Sequence, residues 1–149
     1  MIPSPSEQRT LELTAALLDL GRSIERLSCA MTVGALLALI GSGILGATEP
    51  VLSLTLAASV LAGLACLYFS VRVGFDAAIF RQVAAKDGPV NLQGLDESLG
   101  ELGLLPTIKV GRSVKARAVG SQRLFHRQIY IALLQFVLVF VGAIYTVLK

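Results

Sequence analysis

Apolar residues in this chain gather into three long unbroken runs. Cys29–Ala47, Val51–Val71 and Ile129–Leu148 contain no Asp, Glu, Lys, Arg or His. About 18 or more apolar residues without charge is the length a helix needs to cross a bilayer core of roughly 30 Å. The runs therefore predict three transmembrane helices.

Between and before them the pattern changes to helical periodicity. Leu13, Leu17, Leu20, Ile24 and Leu27 recur at alternating steps of four and three, one stripe of an amphipathic helix over residues 6–28. Ser6 can cap it. The stripe needs an apolar neighbour, either another helix or the bilayer surface. After the second run, Val71, Phe75, Ile79 and Val83 continue at steps of four beside Arg72, Asp76, Arg81 and Lys86. The second helix is thus expected to project into water to about residue 85, where Asp87-Gly88-Pro89 breaks it. Asn91 caps a short helix with Leu92, Leu95, Leu99 and Leu102 on one face and Asp96, Glu97 and Glu101 on another. Pro106 ends it, and a cationic helical segment with a soft point at Gly120-Ser121 leads into the third run.

The fold class is all-α: a single membrane domain over residues 1–149. It comprises an amphipathic cytoplasmic helix (6–28), a first span (29–47), a second span (51–71) with its extension, a helical cytoplasmic loop (91–128) and a third span (129–148). The three amphipathic pieces are able to pack on one another. A signal peptide is the poorer reading of residues 1–47, because 28 mildly acidic residues precede an apolar core longer than the roughly 7–15 residues such peptides use.

Composition agrees: 54% of residues are hydrophobic and 15% charged, where a soluble domain has about 25% charged. The net charge of +3 is unevenly placed. Residues 1–30 carry three cations and four anions, whereas residues 72–128 carry nine cations and five anions. The turn between the first two runs has no Lys or Arg. Positive charge marks the cytoplasmic side, so the N-terminus and the 72–128 loop are expected inside, with the 48–50 turn and Lys149 outside. Nine arginines against four lysines, with abundant Ala, Gly and Leu, suggest a bacterial inner membrane.

Small residues mark expected helix contacts. Ala30, Gly34, Ala38, Ser42 and Gly46 recur every four residues, as do Ala58, Ala62, Cys66, Ser70 and Gly74. Such stripes allow close backbone approach in lipid. In the third run Ala132, Gln135, Val139, Gly142 and Thr146 form a small and polar face, with Gln135 expected to hydrogen-bond across to another helix. Lys109, Arg112, Lys115, Arg117, Arg123 and Arg127 form a segment with no carboxylate, suited to anionic lipid headgroups or an acidic partner.

Catalytic chemistry has little support. The single histidine, His126, lies in the basic run, both cysteines lie in apolar runs, and no metal-ligand, nucleophile-elbow or phosphate-loop spacing occurs. No Asp, Glu, Lys, Arg or His stands within a span, which disfavours a proton-coupled carrier. The expectation is a non-enzymatic accessory, assembly or scaffolding subunit of a membrane complex, without cofactor, metal or nucleic acid. Its expected partners are lipid and another membrane protein or further copies of itself. The alternative is a small homo-oligomeric pore former, holin-like or channel-like.

Overall fold

The computed structural model describes residues 5–46, 49–84, 94, 100 and 114–148. The described residues form helices and no strands. In chain order these are α1 (Pro5–Asp19), α2 (Gly21–Ile44), α3 (Pro50–Ala84) and α4 (Val114–Leu148). The expected 91–106 helix and the cations Lys109 and Arg112 lie outside the described residues. Three helical stretches are long and apolar enough to span a membrane: Gln8–Ile44, Pro50–Ala84 and Lys115–Leu148.

α1 and α2 follow one another almost without interruption. Leu20, between them, keeps right-handed helical angles (φ −60°, ψ −24°). Its N–H donates to the Leu17 carbonyl at 3.3 Å, a tightened turn rather than a break. α2 ends where Gly46 adopts a φ of +67°, a left-handed conformation open to glycine and a common helix stop. Gly46 thus ends the helix rather than extending its packing stripe. Pro50 opens α3, where its missing N–H costs nothing. α4 runs unbroken through Gly120-Ser121, so the soft point expected there is absent. Ser121 is held on both sides: its hydroxyl is bonded to the Asp76 carboxylate and to the Arg117 carbonyl.

α3 and α4 have 35 residues each, about 52 Å at 1.5 Å per residue, well beyond a bilayer core of about 30 Å. One part of the bundle carries the apolar exterior: Val33, Leu37 and Ile40 on α2, Leu54, Leu61 and Leu64 on α3, and Leu133, Phe136 and Phe140 on α4 all point outward. The other part has a conventional buried core. Leu11, Ala15 and Leu18 of α1 pack with Val73, Ala77 and Phe80 of α3 and Ala118 and Phe125 of α4.

The buried face of α1 differs from the expected stripe. Of that stripe Leu17 and Ile24 are half-buried against the core, whereas Leu13, Leu20 and Leu27 are exposed; the fully buried positions are Leu11, Thr14, Ala15 and Leu18. Both sets have helical spacing, and α1 turns toward the set that lets it join α3 and α4. Burial holds it there. A large apolar side chain taken out of water contributes about 1.5–3 kcal/mol. The Asp19–Arg81 pair at 2.6 Å is partly exposed, and such pairs contribute about 0–1 kcal/mol.

Candidate functional site

One buried seam runs the length of the bundle, and every helix contributes to it at alternating steps of three and four. On α3 it is Leu56, Ser59, Gly63, Cys66, Ser70, Val73, Ala77 and Phe80. On α4 the fully buried members are Ala118, Ser121, Phe125, Gln128, Gln135 and Gly142, with Ala132 and Val139 half-buried between them. On α2 small residues stand every seven positions: Gly21, Ser28 and Ala35, all buried. A heptad averages 3.5 residues per turn, close enough to 3.6 that one face stays turned to its neighbours.

Two polar rungs cross this seam. In the first, the Gln135 amide Nε2 donates to the Ser28 carbonyl at 3.1 Å and to the Thr32 hydroxyl at 2.9 Å. The Ser28 hydroxyl donates back to Gln135 Oε1, and Thr32 Oγ1 donates to the Ser28 carbonyl at 2.7 Å. These bonds close a loop between α2 and α4. The third helix reaches the rung through Gly63. A Cβ placed on Gly63 would stand 1.9 Å from Thr32 Oγ1 and 2.8 Å from Gln135 Nε2. Only glycine lets α3 come this close.

The second rung lies one heptad toward the apolar core of α1. Gln128 Nε2 donates to the Gly21 carbonyl at 2.8 Å and to the Ser70 hydroxyl at 2.9 Å. A Cβ on Gly21 would stand 3.0 Å from Gln128 Oε1 and 3.2 Å from Val73 Cγ1. Gln128 and Gln135 are both wholly buried. Among the described residues, Gln128 Oε1 and Ser59 Oγ are buried without a hydrogen-bond partner.

The residues singled out in the sequence fall in different places. Gln135, Gly142, Cys66 and Ser70 are in the seam. Ala58, Ala62 and Gly74 flank it, half-buried. Ala30, Gly34, Ala38 and Gly46 face outward, with nothing within 4 Å of a Cβ on Gly34 or Gly46. Ser42 is half-buried and bonds its own helix at Leu39. Thr146 is exposed and bonds the Gly142 carbonyl. Lys115, Arg123 and Arg127 are exposed, and Arg117 is half-buried.

Gln128, Gly21, Ser28, Thr32 and Gly63 were not singled out. The seven-residue interval shared by Gly21–Ser28 and Gln128–Gln135 is the signal that pairs them.

The rungs are built to hold helices. Their groups are neutral amides, hydroxyls and carbonyls, and most are consumed by one another. Among the described residues, no group of three or more His, Cys, Asp or Glu is placed to hold a metal ion. Compared with known protein families, known proteins and solved structures, the chain matches none.

Proposed function

We propose that this chain is a non-enzymatic accessory or scaffolding subunit that docks against another membrane protein through the outer face of α2. The supporting observation is an asymmetry in what the helices present outward. α3 and α4 expose bulky side chains, among them Leu61, Leu64, Phe136 and Phe140, which suit contact with lipid tails. α2 exposes Val33, Leu37 and Ile40 as well, but it adds Ala30, Gly34 and Ala38 at steps of four beside them. Small residues at steps of four let a second helix approach closely, which is how helices associate where lipid is as apolar as leucine. Gln128 and Gln135 are meanwhile turned inward and bonded to the chain's own helices, which suits a rigid docking element better than a water-filled pore.

The orientation that accompanies this role puts the α1 end of the bundle in the cytoplasm of a bacterial inner membrane and the 48–50 turn outside. The charge asymmetry of the loops supports it. A cysteine at Glu49, in a chain otherwise free of cysteine, is expected to react with an impermeant thiol reagent in intact spheroplasts. Protection there would reverse the orientation.

Native mass spectrometry of the tagged protein, gently solubilised from its own membranes, tests the role. A stoichiometric second polypeptide is the expected result. Recovery of identical copies alone would favour the pore former, and bilayer conductance would then be the next measurement.

A further inference from the structure

The second rung fixes three residues of three different helices at about one level, since Gln128 bonds the Gly21 carbonyl and Val73 Cγ1 stands 3.2 Å from where a Cβ on Gly21 would be. Each has an arginine beside it in the chain: Arg22, Arg72 and Arg127. All three are exposed. Adjacent residues of a helix differ in height by about 1.5 Å, so these three arginines stand at one level on three sides of the bundle. Arg26, one turn nearer the apolar exterior, and Arg123, one turn farther away, are also exposed. Two tyrosines mark the edge of the apolar belt, Tyr68 and Tyr130, 56% and 68% exposed. The Arg72 guanidinium sits 5.2 Å from the Tyr68 ring centre.

The carboxylates near this level do not cancel the charge. Asp19 is bound by Arg81 at 2.6 Å and lies 3.8 Å from Arg22. Asp76 is half-buried and accepts the Ser121 hydroxyl. Glu25 is half-buried. Six arginines, these five and Arg81, therefore meet three carboxylates: Asp19, shared between Arg81 and Arg22, and Asp76 and Glu25, which are partly withdrawn from water.

We infer that these five arginines form a collar that binds the headgroup phosphates of anionic phospholipids around the whole bundle. The inference rests on the chain spanning a membrane and is independent of the docking role. Geometry favours lipid over a protein partner. A protein would approach from one side, whereas the cations are spread over all three helices. Lipid surrounds the bundle, and the collar lies where the apolar belt ends, at the level of the phosphates. Guanidinium groups pair with phosphate in a two-pronged geometry, and each basic residue near an anionic surface strengthens binding about five-fold. The collar also relocates the lipid contact. It draws on Arg22, Arg26 and Arg72, which lie outside the cationic segment of the sequence, and does not require Lys109, Arg112 or Lys115.

The test uses the full chain in nanodiscs of mixed phosphatidylglycerol and phosphatidylcholine, with the lipids that leave bound to protein counted by native mass spectrometry. Wild type is expected to retain phosphatidylglycerol in clear excess. R22Q/R72Q/R127Q, with helicity checked by circular dichroism, is expected to lower that excess at least about five-fold. K109Q/R112Q/K115Q is expected to keep it. A second measurement needs no variant: phosphatidylglycerol with a photoreactive headgroup should label wild type near residues 22, 72 and 127. Equal retention of both lipids by wild type, undiminished excess in the folded collar variant, or labelling concentrated at residues 109–115 would each overturn the proposal.

Discussion

Gln135 of α4 and Ser28 of α2 hold one another by reciprocal hydrogen bonds, amide to carbonyl at 3.1 Å and hydroxyl to amide oxygen. Interhelical bonds of this kind contribute about 0.6–2 kcal/mol each in membranes. Gln135→Leu keeps the approximate volume and removes three of them, counting that to Thr32. It should lower unfolding free energy by about 2–6 kcal/mol in a bicelle denaturation assay. Gln128→Leu removes two bonds and also an unpartnered buried oxygen, so it should cost less. A larger loss from Gln128→Leu would show that the rungs are ranked wrongly.

Gly63 and Gly34 offer a matched pair. Alanine at Gly63 places a carbon 1.9 Å from Thr32 Oγ1, and overpacking of this kind costs about 1–3 kcal/mol. Thr32→Ala should recover part of that loss. Alanine at Gly34 meets nothing within 4 Å and should be neutral or stabilising by up to about 1 kcal/mol in the isolated chain, from helix propensity alone. The same denaturation assay reads both. Equal effects would mean that α3 does not approach α2 at Gly63.

Ser59 is wholly buried with its hydroxyl unpartnered among the described residues. A buried polar group without a partner is destabilising by about 1–3 kcal/mol. Ser59→Ala is therefore expected to leave stability unchanged or raise it by up to about 1 kcal/mol, after allowing for the small void. A clear loss of stability would show that the hydroxyl is bonded after all.

The three spans were legible because charge-free runs of this length have few alternatives to crossing a membrane. The continuation of α3 past the apolar run was legible for a related reason: Val71, Phe75, Ile79 and Val83 carry the apolar steps on beside charged residues. The seam was only partly legible. A stripe of strict four-residue steps turns by about 40° per step relative to a helix face, so Ala58 through Gly74 drifts across the seam and only Cys66 and Ser70 lie within it. Alternating steps stay on the face, which is why Gln135 and Gly142 were visible together. The face of α1 depended on what it meets. Leu11, Ala15 and Leu18 and the Leu13–Leu27 stripe are both apolar at helical spacing, and packing against Val73, Ala77, Phe80, Ala118 and Phe125 favours the first. Gln128 directly follows the exposed Arg127 in the chain, and the long helix carries it inside while its neighbour stays out.

The docking role depends on one exposed line, Ala30, Gly34 and Ala38. The most direct test is a photo-crosslinking amino acid at Gly34, with a control at Leu54, which is 73% exposed on α3, both activated in the native membrane. A discrete adduct to a different membrane polypeptide from position 34, and none from position 54, is the predicted result. Crosslinks only between identical chains, or none from position 34, would contradict it.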